Sequence, residues 1–178
     1  RTHAQGTTVI NTILRNKALA LGVPAEQILL LTNGADIATM KPQARDVLRQ
    51  ELELPPAGPL VAYTGAIFAT DAALMAAAFD EIVTSQPEAR LLLIGYFNVA
   101  IEQLVKAPEK IIRTGPISYP NLVKYVAAAD VGWLPLVDTG ANQGRFPMKA
   151  TDFMAAGQPL LVTDVGDLGS LVRENGLG

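Results

Sequence analysis

Between Thr7 and Leu21 the apolar residues Val9, Ile10, Ile13, Leu14, Ala18 and Leu21 fall at the spacing of one helical face. The pattern predicts a helix with Thr7 or Thr8 as its N-cap and Gly22 as its stop. A short apolar run, Ile28 to Leu31, closes at Asn33-Gly34, and Met40 to Glu53 reads as a second helix running into the turn signal Pro55-Pro56-Ala57-Gly58. After Gly58 the rhythm changes. Uninterrupted apolar runs at Leu60–Tyr63, Leu91–Ile94, Ile111–Ile112, Val131–Leu136 and Leu160–Val162 alternate with helical patterns near 71–84, 98–106, 119–128, 147–156 and 167–173. Strand then helix, five times in succession, predicts an α/β fold: a Rossmann-like parallel sheet, its strands buried on both faces by helices.

In such a sheet ligands sit beyond the carboxyl ends of the strands. The loops to watch are therefore Gly65–Thr70, Gly95–Asn98, Thr114–Ser118, Val137–Phe146 and Asp164–Gly169. Glycines at 65, 95 and 115 let backbone approach a ligand with no Cβ in the way, although glycine also simply ends strands.

Composition narrows the chemistry. The 178 residues carry 14 Lys+Arg against 17 Asp+Glu, a net charge of −3, with 49% apolar and 17% charged residues, which suits a full core and excludes disorder. Zero cysteines exclude a disulfide scaffold or thiolate metal cluster, and a single histidine excludes a multi-histidine metal centre. A Ser/His/Asp triad would have to rest on His3, close to the N-terminus. The acidic balance leaves no electrostatic footprint for nucleic acid. No apolar run approaches the roughly 18 residues of a membrane span, and RTHAQGTT has no signal-like core behind it, so a cytoplasmic chain is expected. Its start at Arg1 and stop at Asn175-Gly176-Leu177-Gly178 suggest a piece of something longer.

Neither G-x-G-x-x-G nor G-x-x-x-x-G-K-[ST] occurs, which disfavours Rossmann dehydrogenases and P-loop ATPases. The stretch GRFPMKATDFMAAGQP, residues 144–159, instead sets charges at a helix start, with Pro147 in the first helical position and Gly157 and Pro159 as the stop. Lys149 and Asp152 are three apart and share a face, and Arg145 precedes the first turn. Free N–H groups at Met148 and Lys149, the helix dipole and the two cations make a site for a diphosphate. Asp152 is placed to accept hydrogen bonds from a ribose diol. The same spacing also fits a surface ion pair between Lys149 and Asp152.

These segments in this order resemble the C-terminal half of a GT-B glycosyltransferase of the group 1 (family 4) class. The similar stretches are LLLTNGAD, LVAYTGAIF, ARLLLIG, IIRTGPISYPNLVKYVAAADVGWLPL and PMKATDFMAAGQPLLVTDVGDLGSLV. The resemblance implies that residues 1–36 are the remnant of an N-terminal domain with its link, and that 37–178 form the nucleotide-sugar donor domain, lacking its final helices. It implies a retaining transfer from a nucleoside-diphosphate sugar to an acceptor hydroxyl, in glycan or glycolipid synthesis. Catalytic groups, the acceptor site and any membrane contact are expected in the N-terminal domain, so the chain alone should be inactive.

On that resemblance Asp152 stands where the family has the second of two glutamates, the one holding the ribose. The first falls at Gly144, leaving its sugar contact absent or supplied by a neighbour such as Asn142. Arg145 and Lys149 would meet the diphosphate, Gly65 and Gly95 would lie close to the nucleotide, and Arg113, Thr114 and Gly115 beside the base. Many members have G-R-L and then a lysine after the first strand, whereas here Gly65 is followed by Ala66-Ile67, with Asp71 near the lysine position. No cofactor or metal is expected, in keeping with the absence of a D-x-D pair. A GT-B nucleotide-sugar epimerase and a non-catalytic nucleotide-binding or interaction module stay open as alternatives.

Overall fold

A computed structural model describes residues 4–178; His3 lies outside the described residues. Two sheets result, both parallel. Strands β1 (Thr7–Val9) and β2 (Ile28–Leu30) pair with each other, connected by α1 (Thr12–Ala20). After α2 (Arg45–Glu51) come β3 (Leu60–Thr64), α3 (Ala69–Ser85), β4 (Arg90–Ile94), β5 (Ile111–Arg113), α4 (Tyr119–Ala128) and β6 (Val131–Leu134). The short α5 (Gly140–Gln143), α6 (Met148–Ala155), β7 (Leu160–Val162) and α7 (Gly166–Asn175) complete the chain. The larger sheet runs β5-β4-β3-β6-β7, so strand order reverses between β3 and β6, and a crevice opens at their carboxyl ends.

Alternation along β3 explains the layering. Leu60 and Ala62 join the core under α4, α6 and α7, with Val126, Phe153 and Leu168, while Val61 and Tyr63 join the core under α3, with Met75 and Phe79. Gly132 on β6 is a close-approach position: a Cβ there would come within 2.2 Å of the Phe153 ring, so the bare backbone lets α6 lie directly on the sheet.

Four boundaries differ from the sequence expectation, each for a physical reason. Thr7 and Thr8 do not cap α1; they belong to β1, and Asn11 is the cap, its side chain accepting from Leu14 N–H. Met40–Glu53 turns helical only at Arg45: the N-cap Ala44 is extended, at φ −71° and ψ 93°, and Pro42 disfavours helix in the residue before it. The 98–106 segment makes only a single 3₁₀ turn, Ile101–Gln103, whose apolar spacing is spent driving Ile101 into the α3 side of the core. β6 stops at Leu134 because Pro135 has no N–H for the ladder. In addition, β5 and β7 are edge strands and only partly buried, unlike β3 and β4.

Candidate functional site

Three glycines with left-handed backbone end three adjacent strands: Gly65 (φ 73°) after β3, Gly95 (φ 99°) after β4 and Gly115 (φ 67°) just past β5. L-residues strain at such φ, and glycine does not. Gly65 N–H donates to the Ile94 carbonyl at 2.8 Å, and Gly95 and Gly115 form a bridge. Thr114 fastens that bridge, its Oγ1 accepting from Gly95 N–H at 3.0 Å and donating to the Gly115 carbonyl at 2.8 Å. Added Cβ atoms at 65 and 115 would meet nothing within 4 Å. The result is an open shelf of bare backbone across the ends of β3, β4 and β5.

Above its β3 end stand two cations. Pro147, expected in the first helical position, is instead the N-cap of α6, and helix begins at Met148. That start sends Lys149 over the Tyr63 ring, Nζ 3.8 Å from the centroid. Burial, then the neighbouring Arg145, lower the Lys149 pKa to about 7, with Asp71 acting in the opposite sense. Tyr63, itself pushed up to about 12 by burial, donates its hydroxyl to the Ala66 carbonyl at 3.0 Å. Arg145 lies beside the same loop, its guanidinium 5.4 Å from the Phe68 ring centroid. A desolvated ammonium beside a guanidinium, with the N-terminus of α6 close by, is a place that an anion relieves.

One turn further along α6, Asp152 is partly buried, and desolvation raises its pKa. Among the described residues it forms no ion pair with Lys149, which turns to Tyr63 instead. Arg113, at the far edge, is engaged: it pairs with Glu102, donates to the Val99 carbonyl at 3.1 Å and lies 5.4 Å from the Phe97 ring centroid. That pairing holds the Glu102 carboxyl below its usual range. The shelf thus gathers Gly65, Gly95, Thr114 and Gly115, and Lys149 and Arg145 gather at its β3 end. The Arg113 side chain is committed elsewhere.

Asn142 does not serve as a sugar contact in this geometry. It is buried at 5% exposure, its Nδ2 spending both hydrogens on Asp71 and the Val137 carbonyl and its Oδ1 accepting from Arg145, so the amide is turned into the loop. A Cβ at Gly144 would lie 3.2 Å from Leu14 of α1. Sequence reading also missed the asparagines that strap this loop. Asn11 Nδ2 donates to the carbonyls of Gln143 and Arg145 at 2.9 and 3.2 Å, and Asn33 Nδ2 to that of Phe146 at 2.6 Å. Asn33-Gly34 could be read only as a turn, and Asn11 sits inside a helical apolar pattern that hides its capping role.

Among the described residues no cluster of three or more His, Asp or Glu could hold a metal ion, and no helix is long and apolar enough to cross a membrane.

A family model described as glycosyl transferases group 1 matches residues 58–178. The D-inositol 3-phosphate glycosyltransferase of Nocardia farcinica is 29% identical over an alignment of 174 positions that covers 88% of this chain and 37% of that protein. Among solved structures, sucrose-phosphate synthase from Thermosynechococcus elongatus superposes with a TM-score of 0.73 at 25% identity, over 93% of this chain and 42% of that one. Anabaena HepE, solved in complex with UDP and glucose, gives 0.70 at 17% identity, over 94% and 46%. The chain spans less than half the length of each of these three relatives.

Proposed function

Because this chain belongs to the group 1 glycosyl transferases, we propose that it binds the nucleotide-sugar donor of a retaining glycosyl transfer. The observation that carries the reading is the meeting of a bare glycine shelf with two cations, one of them desolvated, at the carboxyl end of a central strand. The shelf receives the nucleoside against backbone, Asp152 accepts from the ribose hydroxyls, and Lys149, Arg145 and the first N–H groups of α6 receive the diphosphate. As the bond from sugar to diphosphate breaks, charge grows on the leaving oxygen. Donors already fixed around it stabilise that charge without reorganising, so the site asks for no divalent ion. UDP is the first nucleotide to try, since the HepE structure holds it. Acceptor binding and the remaining catalytic groups fall to a second domain, with residues 1–36 as its remnant.

Isothermal titration of the chain with UDP, GDP and ADP, in EDTA and in magnesium, tests this. At least one should bind with a dissociation constant below about 1 mM, and chelation should change affinity less than about threefold. No binding by any of the three refutes the donor reading. Sugar transfer by this chain alone, at the rate of a two-domain relative, refutes the division of labour.

A further inference from the structure

The carboxylate of Asp71 makes none of the proposed donor contacts. It lies in the first turn of α3, only 2% exposed, among groups supplied by a different loop. Its Oδ1 accepts from Val137 N–H at 2.9 Å and from Asn142 Nδ2 at 3.0 Å, and its Oδ2 stands 3.8 Å from the Arg145 guanidinium. Asn142 in turn accepts from that guanidinium at 2.8 Å. Phe68, one residue before α3, lies under the same group. A single arginine is thus held on three sides, and each support traces to the start of α3 directly or through Asn142. An arginine left free on a loop would lose side-chain entropy on gripping an anion, whereas this one is ordered when the chain folds.

We propose that Asp71 is a positioning residue: directly and through Asn142 it holds the Arg145 guanidinium beside the glycine shelf in the orientation that receives the diphosphate. The inference rests on the donor-binding reading and adds the source of its preorganisation. The carboxylate has two opposed effects on an incoming anion. Holding Arg145 favours binding, while its own negative charge disfavours it, so the sign of a substitution decides between a positioning group and a mere counter-charge.

Asp71→Asn keeps the volume and one oxygen for Val137 and Asn142, but turns an amide donor towards the guanidinium. Titration would use the tightest of UDP, GDP and ADP, alongside its nucleoside. The variant should bind the diphosphate at least about threefold more weakly and the nucleoside as before, and the loss should vanish in an Arg145→Ala background. Asn142→Ser leaves the carboxylate in place and removes the arginine's acceptor, so it should reproduce the loss, and it decides the matter alone should Asp71→Asn not fold. Diphosphate binding that is unchanged or tighter in the variant, or equally weakened without Arg145, overturns the inference while the donor reading stands. A parent chain that binds none of the three nucleotides overturns both.

Discussion

Protonation of Lys149 should be coupled to donor binding. Burial over Tyr63, then Arg145, hold its pKa near 7 in place of 10.5, so at neutral pH about half of the free molecules carry an uncharged amine. A diphosphate replaces lost solvation with negative charge and restores the ammonium. If the bound pKa returns to 10.5, binding takes up about 0.1 proton at pH 6 and about 0.9 at pH 8. Affinity then falls about fivefold from pH 7 to 8 and about ninefold from pH 8 to 9, about fiftyfold in all. Even a bound pKa of about 8.5 leaves about a tenfold fall over that interval. UDP-glucose is the probe of choice, because its substituted phosphates lack the second ionisation near pH 6 of a terminal phosphate. Calorimetry at pH 8 in buffers of different ionisation enthalpy reads the uptake directly, with Lys149→Met as the control. Uptake below about 0.2 proton, or equal uptake in the variant, would refute the argument that this lysine is desolvated and meets the diphosphate.

Other substitutions probe separate parts of the molecule. Below pH 7 the folded chain bears the full cost of a charged, buried Lys149, and between pH 7 and 10.5 the unfolded state binds the extra proton, so stability rises with pH across that window. Lys149→Met should flatten that rise in thermal melts of the free chain. Asp152→Ala should weaken nucleoside and diphosphate alike, by about ten- to a hundredfold for charge-assisted bonds to the ribose, and 2′,3′-dideoxynucleotides should not feel the change. Gly132→Ala places a methyl inside the Phe153 ring and should cost about 1–3 kcal/mol in denaturant unfolding, as overpacking does. Arg113→Ala breaks an exposed pair with Glu102 and should alter stability by less than about 1 kcal/mol, with nucleoside affinity held because the shelf is backbone.

The parallel sheet was legible because its central strands are apolar without interruption. Leu60–Thr64 and Arg90–Ile94 lie inside two layers of helix, and runs of this kind have few other places to go. The positions of Gly65 and Gly95 at strand ends and of Arg145 and Lys149 at a helix start were legible, because backbone chemistry constrains residue type there. The first 40 residues were harder. Thr7–Val9 is β because Ile28–Leu30 pairs with it, and a partner about 20 residues away leaves no mark in a local periodicity. Asp71 carried a misleading signal, since an acid in a first helical turn is also what the dipole alone favours. Its reach to Val137 and Asn142 depends on the start of α3 meeting the segment between β6 and α6 across the sheet's reversal point, which no local pattern encodes.

The asparagine straps on the Arg145 loop bear on the order in which the chain folds. Partners in the β3–β4 ladder lie 30 positions apart, as Leu60 and Arg90 do, whereas Asn11 reaches residues 132 and 134 positions away. Closing the longer loop costs about 1.3 kcal/mol more chain entropy, and it gives access to two hydrogen bonds where the ladder gives a buried strand. Sheet formation should therefore precede the clasp. In refolding, burial of Trp133 in β6 should run ahead of the appearance of nucleotide affinity. On the proposed donor reading, the capacity to hold a nucleotide should be the last property to appear as the chain refolds.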